Sequence, residues 1–403
     1  MTLAGLIGFG KIALYANFLS PIGLGAYSFS LLLLAYGISI CSLGLYEGAL
    51  GVFPVWYGQN FDCRVQTTRN QILGFLCFSG IIFCLLSSAS LFLDSILPLN
   101  WLSILLVCAF SSVSTFFLVL LADIRSRLMT LQFGIFMLAR GALSLIAGSL
   151  LARSYGYIGI LSSEICITLF LTIILAVIEI EKIGFARPDF AALIPIFRIG
   201  FPLMLNGAVT NTASSIDRFF VIAALGTDAF GQYSFAMIIA SGGAMLQAIL
   251  YQQIGPEILY KVGQGLSAAQ ILKKVNRFIF ALFLLAVICA YPTFYAAHRV
   301  IPLYFSEYYQ SLSIFPVVYI GATFSALSVY ENFAVALGKT EYVLALNSLI
   351  ICGVGFASYI FIQHGVSILT FASVYASGRL LYFLATLLMA FWAVNQLPRG
   401  DGI

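Results

Sequence analysis

The stretch Leu225–Phe235, LGTDAFGQYSF, separates two long apolar segments and has a twin near the start of the chain. The twin is Leu19–Phe29, LSPIGLGAYSF, which has leucine, glycine, tyrosine, serine and phenylalanine at the same places. The offset of 206 residues is about half of the 403-residue chain. We therefore predict a duplicated unit, with residues 1–190 forming an N-terminal lobe of six helices and residues 191–403 a C-terminal one.

The composition predicts an all-α integral membrane protein. Hydrophobic residues make up 62% of the chain and charged residues only 8%, a balance that excludes a soluble globular protein. A bilayer core requires about 20 apolar residues per helix, and about twelve segments of that kind are present. We predict spans at 3–19, 25–50, 71–93, 101–122, 128–150, 156–178, 199–222, 230–252, 278–297, 312–336, 342–363 and 366–392.

Lysine and arginine predict the orientation. With the N-terminus inside, the outer loops hold only Arg153 and Arg299. The predicted cytoplasmic loops and C-terminus hold Arg64, Arg69, Arg125, Arg127, Lys182, Arg187, Arg198, Lys261, Lys273, Lys274, Arg277, Lys339 and Arg399. This asymmetry follows the positive-inside rule and places both termini in the cytoplasm. Both halves then have the same orientation, as in a parallel internal repeat.

Eight charged residues fall inside predicted spans. They are Lys11, Arg140, Arg218, Arg379, Glu47, Glu164, Asp217 and Glu331. A charge at the bilayer centre costs at least ~2.5 kcal/mol, so these residues indicate a wet cavity or tight ion pairs. Lys11, Arg140 and Arg379 lie near the middle of their spans, where Glu164 is the one acid at similar depth. This cationic excess predicts a site for an anion.

The charged residues of the first lobe have structural alternatives. Arg140 and Glu164 can pair across neighbouring helices. Lys11 has only Glu47 or Glu164 as a partner in its own half, which makes it the strongest candidate for a substrate contact.

The second lobe has its own alternatives. Asp217 and Arg218 are adjacent, point in different directions and are each expected to find a partner on another helix. Arg379 lies four residues after Tyr375 and three before Tyr382, so it can also serve as a stacked packing arginine.

One helix of the second lobe carries a polar stripe. Gly207, Asn211, Ser214 and Arg218 recur at helical spacing, with Thr210 beside them. Such a stripe must face away from lipid. We expect Thr210, Asn211 and Ser214 to line a cavity.

Several classes of function are disfavoured. The chain has no phosphate-binding loop and no nucleophile-elbow motif, so we do not expect an enzyme. Its eight cysteines are scattered without a Cys-x-x-Cys pair, so we expect no metal site. No cofactor and no nucleic-acid partner are expected.

Five motifs in order resemble those of a known family. They are LSPxxxGxY at 19–27, LGL at 43–45, GFP at 200–202, DRFF at 217–220 and GxYSxA at 231–236. Together they resemble the polysaccharide-transport family, the O-antigen or Wzx-type flippases of lipid-linked oligosaccharides. That family belongs to the multidrug/oligosaccharidyl-lipid/polysaccharide (MOP) exporter superfamily, together with multidrug-and-toxin extrusion (MATE) transporters and the lipid II flippase.

The resemblance implies a MATE-like fold and a lipid-linked substrate. The substrate would be an undecaprenyl-pyrophosphate-linked oligosaccharide, moved across a bacterial inner membrane for O-antigen or other polysaccharide biosynthesis. Partners would be membrane lipids, a polysaccharide polymerase and a chain-length regulator. The cavity cations carry over as Lys11, Arg140, Arg218 and Arg379.

Coupling and two rival functions complete the predictions. Inward H⁺ or Na⁺ movement through Glu164, Asp217 or Glu331 is a hypothesis. The first rival is a MATE-type exporter of drugs or cations, which the cationic midplane disfavours. The second is a non-transporting scaffold for envelope assembly, which would need neither a polar stripe nor buried charges.

Overall fold

The computed structural model describes residues 2–88, 99–178, 184, 186–263, 268–328, 330–331, 340–364 and 367–396. Every regular element in this part of the chain is helical, which confirms the all-α prediction. The helices are α1 (Thr2–Tyr15), α2 (Pro21–Ser42), α3 (Leu45–Gly58), α4 (Asp62–Ser88), α5 (Trp101–Ser126), α6 (Thr130–Ile178), α7 (Phe190–Gly263), α8 (Ala268–Tyr304), α9 (Ser311–Leu327), α10 (Thr340–Gln363) and α11 (Ile368–Gln396). A short 3₁₀ turn, Ser306–Tyr308, precedes α9.

Two glycines divide the longest helices close to the predicted boundaries. Gly156 has φ 57° and ψ −142°, which breaks α6 into two segments. Gly226 has φ 81° and ψ −177°, which breaks α7 inside the repeated stretch. Residues with a Cβ rarely adopt these angles, so glycine is required where each helix reverses. Segments of α6 and α7 therefore correspond to four predicted spans.

The prediction of one continuous helix over the second span, 25–50, was wrong, because two helices, α2 and α3, cover this stretch. Ser20 caps α2 by accepting a hydrogen bond from the Gly23 amide at 3.3 Å, and α2 ends at Ser42. Leu43 (φ 47°) and Gly44 (φ 87°) then adopt left-handed conformations before α3 begins. Glycine after a helix end is a strong stop signal, so the chain makes two helices here.

Other differences concern loops. The predicted loop at 253–277 is mostly helical, because α7 continues to Gly263 and α8 starts at Ala268. The ends of the predicted spans 71–93 and 312–336 lie outside the described residues. Lys182, Lys339 and Arg399 also lie outside them. Among the described residues, eight helices are long and apolar enough to cross a membrane. The chain is thus a multi-pass membrane protein.

The chain forms two compact units, Met1–Ala208 and Val209–Ile403. We call them unit 1 and unit 2. The core of unit 1 includes Phe53 of α3, Ile72 of α4 and Phe117 of α5, all fully buried. The core of unit 2 includes Val275 of α8, Leu327 of α9 and Ala390 of α11.

Backbone-to-backbone packing joins α3 to the start of α7 inside unit 1. A Cβ on Gly44 would lie 2.7 Å from the carbonyl carbon of Gly200, and one on Gly200 would meet the Gly44 carbonyl oxygen. A Cβ on Gly48 would likewise meet the carbonyl oxygen of Ile196. Two of the family-like motifs, LGL and GFP, are therefore the two sides of one tight helix contact.

We predict that Gly200→Ala lowers the free energy of unfolding by about 3 kcal/mol, the upper range for overpacking. The reason is that its Cβ meets backbone atoms, which cannot rotate away. Gly134→Ala is the matched control, because a Cβ on that α6 glycine meets nothing within 4 Å. Thermal unfolding in detergent checks this; equal unfolding temperatures for the two variants would contradict it.

A buried charge network lies where α3, α4 and α5 meet. Asp123 of α5 accepts hydrogen bonds from Tyr57 at 2.5 Å, from Arg69 and from Arg127. Arg127 also donates to the Tyr57 hydroxyl at 3.0 Å. The sequence placed Arg69 in a loop, which was wrong: it lies in α4 and is 0% exposed. Its charge requires the Asp123 carboxylate.

Candidate functional site

Three of the four intramembrane charges predicted for the first half, Lys11, Arg140 and Glu164, come together inside unit 1, whereas Glu47 accepts a hydrogen bond from Ser42 at 3.3 Å. Lys11 of α1 forms an ion pair with Glu164, in the second segment of α6. The Lys11 ammonium also donates to Ser144 Oγ at 3.3 Å. Arg140 lies one helical turn before Ser144 on the same face. Lys11 is therefore paired, and Glu164 is its counter-charge.

Tyrosines surround this pair. Tyr15, four residues after Lys11, donates to the Ser144 carbonyl at 2.7 Å. Its ring packs edge-to-face on Tyr27 of α2, with centroids 5.7 Å apart. Gly148 makes room for it, because a Cβ there would lie 2.7 Å from the Tyr15 ring. We call Lys11, Tyr15, Tyr27, Arg140, Ser144 and Glu164 the unit 1 polar cluster.

Arg140 is held differently from Lys11. Its guanidinium donates to Ser114 Oγ at 3.3 Å and lies over the rings of Phe110 and Phe117, at 5.7 and 5.3 Å. Within the described residues, no carboxylate lies at ion-pair distance from it, since Glu164 goes to Lys11. The cluster thus carries two cations against one carboxylate, and Arg140 keeps donors for an anion.

Unit 2 contains a second cluster of similar composition. Asp217, in the first segment of α7, accepts a hydrogen bond from the hydroxyl of Tyr233 in the second segment. Both side chains are almost fully buried. Arg218 and Tyr375 of α11 lie close enough to Tyr233 to interact with it electrostatically. Among the described residues, the carboxylate is therefore held by a phenol, and no cation lies at ion-pair distance from it.

Arg379 joins this second cluster from α11. It lies over the Tyr375 ring at 5.5 Å and donates to the carbonyl of Ala213 at 3.4 Å. The stacking that the sequence offered as a packing role is thus present. We call Asp217, Arg218, Tyr233, Tyr375 and Arg379 the unit 2 polar cluster. It also holds two cations and one carboxylate.

The predicted stripe and Glu331 lie elsewhere in unit 2. Asn347 of α10 donates to Thr210 Oγ1 at 3.2 Å. Asn211 is exposed, and its carbonyl accepts from Ser214 Oγ at 2.8 Å. Glu331 lies beside the buried hydroxyl of Tyr382, which is also next to Asn347. Thr210, Asn347, Tyr382 and Glu331 are therefore neighbours, whereas the described hydrogen bond of Ser214 is to the Asn211 carbonyl.

The sequence reasoning placed Tyr375 beside Arg379 but missed the roles of Tyr15, Tyr27 and Tyr233. The signal was present, because Tyr27 and Tyr233 are the tyrosines of the repeated stretch. Both are 0% exposed, which is unusual for a residue with a polar tip. Within the described residues, no group of His, Cys, Asp and Glu is arranged to hold a metal ion.

The fold resembles several solved transporter structures at low sequence identity. An inward-facing MATE family multidrug resistance transporter of the MOP superfamily matches with a TM-score of 0.78 and 14% identity, over 99% of this chain and 96% of that one. The lipid II flippase MurJ, in an inward closed conformation, matches with 0.73 and 14%, over 97% and 87%.

The fold also resembles a third solved structure, for which a binding pocket of reverse polarity is described. This MOP superfamily transporter from Pyrococcus furiosus matches with a TM-score of 0.61 and 14% identity, over 98% of this chain and 94% of that one. No protein-family model and no curated protein sequence matches the chain. The chain has the all-helical fold that MATE transporters and the lipid II flippase MurJ share.

Proposed function

We propose that this protein is a flippase for undecaprenyl-pyrophosphate-linked oligosaccharides. It would move them by alternating access from the cytoplasmic to the outer leaflet of a bacterial inner membrane, for O-antigen, capsule or exopolysaccharide biosynthesis. The fold supports a transporter, and one structural neighbour is itself named a lipid II flippase. Both termini would be cytoplasmic, with a polysaccharide polymerase and a chain-length regulator as partners.

The observation that carries the proposal is the unpaired state of Arg140. This arginine lies inside an apolar helix, with stacked phenylalanines and one serine hydroxyl as its described contacts. Burying a guanidinium in a membrane without a carboxylate partner costs free energy, and binding of an anion lowers that cost. A pyrophosphate provides such an anion and accepts bidentate hydrogen bonds from arginine.

The other cations fit the same role. Lys11, Arg218 and Arg379 place additional positive charge within membrane helices of the two units. Fixed charges of this kind replace the water that a pyrophosphate loses on entering the membrane. Thr210, Asn211 and Ser214 would bind sugar hydroxyls. With the inside negative, outward movement of the anion is favoured by ~2.3 kcal/mol per charge per 100 mV.

Ion coupling is part of the proposal. Of the three candidate acids, Glu164 is bound by an ammonium, Asp217 by a tyrosine hydroxyl, and Glu331 lies beside another tyrosine. We propose that H⁺ or Na⁺ enters at one of them. Flipping that stays insensitive to both gradients in the wild type and in the Glu164→Gln, Asp217→Asn and Glu331→Gln variants would exclude coupling.

We predict that Arg140→Ala slows flipping by about 10- to 100-fold, because a hydrogen bond to a charged group is worth about 1.5–3 kcal/mol. The measurement is transfer of an undecaprenyl-pyrophosphate oligosaccharide between leaflets of proteoliposomes. Arg153→Ala is the matched control, since Arg153 also stacks on a phenylalanine, Phe18, at 5.3 Å but is exposed. Equal rates for both variants would contradict the role of Arg140.

A MATE-type exporter of drugs or cations is the second candidate, because a MATE transporter shares the fold. Deleting the gene separates the two. A flippase leaves undecaprenyl-linked repeat units on the cytoplasmic face and removes the surface polymer. An exporter leaves the polymer intact and makes the cells sensitive to cationic drugs.

A further inference from the structure

The repeat aligns one residue of each polar cluster with a residue of opposite charge in the other. The offset of 206 residues that relates Tyr27 to Tyr233 also relates Lys11 to Asp217. The first helix of unit 1 thus carries a cation where the first helix of unit 2 carries an acid. In both units, the tyrosine of the repeated stretch lies beside the carboxylate of its cluster.

The two tyrosines are in different states. Tyr233 donates its hydroxyl hydrogen to Asp217. Tyr27 is 0% exposed, and among the described residues no group lies at hydrogen-bond distance and angle from its hydroxyl oxygen, although Glu164 is close by. The acid beside it, Glu164, is bound by Lys11 instead. Within the described residues, the Tyr27 hydroxyl of unit 1 is therefore not hydrogen-bonded and the Lys11 ammonium is paired with the carboxylate. In unit 2, the Tyr233 hydroxyl is hydrogen-bonded to the carboxylate.

A buried hydroxyl without a partner needs an explanation. Such groups are rare in native proteins and cost free energy, because the hydroxyl has lost its bonds to water. Replacement by phenylalanine would remove the cost without changing the shape of the ring. A hydroxyl without a hydrogen bond beside a carboxylate is explained if it donates a hydrogen bond to that carboxylate in another state of the protein.

We propose that Tyr27 is a positioning residue that takes over the Glu164 carboxylate when the Lys11 ammonium turns to an anionic group of the substrate. This role rests on the flippase function proposed above, and it assigns Lys11 to the phosphate groups. No proton moves in the exchange. Glu164 stays ionised and accepts from the Tyr27 hydroxyl, as Asp217 accepts from Tyr233, while the ammonium exchanges a carboxylate oxygen for a phosphate oxygen.

The exchange explains how a paired lysine still binds substrate. Leaving Glu164 without any donor would strand a buried carboxylate, which is strongly unfavourable. A phenol that is already in place lowers that cost, because a hydrogen bond to a charged acceptor is among the stronger ones. In the part of the chain that the structure describes, Arg140 forms no ion pair that it would have to break, so it needs no such partner.

The first test needs no substrate and compares thermal unfolding of Tyr27→Phe and Tyr233→Phe in detergent. We expect Tyr27→Phe to leave the unfolding temperature unchanged or raise it, since its hydroxyl has no partner. Tyr233→Phe should lower it by several degrees, since it removes a bond to a buried carboxylate. A comparable fall for both would show that Tyr27 is already engaged, and would overturn the proposal.

The second test measures binding of undecaprenyl pyrophosphate to the full chain in nanodiscs. Tyr27→Phe should weaken binding about tenfold, because Glu164 then holds Lys11 more persistently. In a Glu164→Gln background, where Lys11 has no carboxylate to leave, the same substitution should have no effect. Tyr155→Phe, at a residue 68% exposed, is the control for loss of a hydroxyl.

The outcomes separate the two levels of the proposal. An equal loss of affinity from Tyr27→Phe in both backgrounds, or no loss in either, overturns the positioning role alone. Absence of undecaprenyl pyrophosphate binding in the wild-type protein overturns the proposed function and the positioning role with it. Tenfold weakening confined to the wild-type background supports both.

Discussion

We expect Asp123→Asn to lower the free energy of unfolding by about 3–5 kcal/mol, the cost of breaking a buried ion pair by removing one partner. Asp123 is the acceptor for Arg69 and Arg127, and Arg69 is fully buried. Asparagine keeps the shape of the side chain and loses the charge. The unfolding temperature in detergent therefore falls sharply, although the substitution adds no atoms to the core.

Two further variants show whether charge is the cause. Asp62→Asn is the matched control, because Asp62 is exposed in the first turn of α4. The double variant Arg69→Met, Asp123→Leu removes the buried pair and replaces it with apolar side chains, which is often neutral or stabilising. It should recover much of the lost stability. A double variant no more stable than Asp123→Asn would contradict the electrostatic explanation.

The sequence predicted the helical fold well, because membrane-spanning helices are limited by local rules. Length and hydropathy identify an apolar span, and glycine marks the reversals at Gly156 and Gly226. The failure at 25–50 had a local cause. Gly44 lies within the apolar segment 25–50, and its left-handed conformation separates α2 from α3. Because the sequence is apolar on both sides of Gly44, hydropathy did not show that a helix ends there.

Contacts between distant residues were harder to predict. Arg69 lies in a polar stretch, DCRVQTTRNQ at 62–71, that looks like a loop. Its partner Asp123 is 54 residues away in sequence, and nothing local shows that they meet. Periodicity places a residue on a helix face, but it does not say which other helix packs there.

The same limit applies to the candidate site. Composition identified the intramembrane charges, and Glu164 was one of two partners considered for Lys11. The structure selects Glu164 across 153 residues of sequence. The roles of Tyr15, Tyr27 and Tyr233 were not predicted, because an apolar helix contains many aromatic residues and the sequence does not show which of them are buried. Only the repeat distinguishes Tyr27 and Tyr233 from the others.

Replacing Lys11 and Glu164 together by methionine will separate the fold from the proposed function. Apolar groups of similar shape can replace both members of a buried pair at little cost. The double variant should therefore unfold near the wild-type temperature. Lys11→Met alone should unfold lower, because it leaves Glu164 buried without its ammonium. The measurement is thermal unfolding of the three purified proteins in the same detergent.

Flipping in proteoliposomes gives the second half of this comparison. The double variant should transfer an undecaprenyl-pyrophosphate oligosaccharide about 10- to 100-fold more slowly than the wild type, because one charge-assisted bond to phosphate is lost. A folded double variant that flips at the wild-type rate would show that Lys11 serves only to pair Glu164. Anion binding would then fall to Arg140, the cation of the unit 1 polar cluster for which no carboxylate is within ion-pair distance among the described residues.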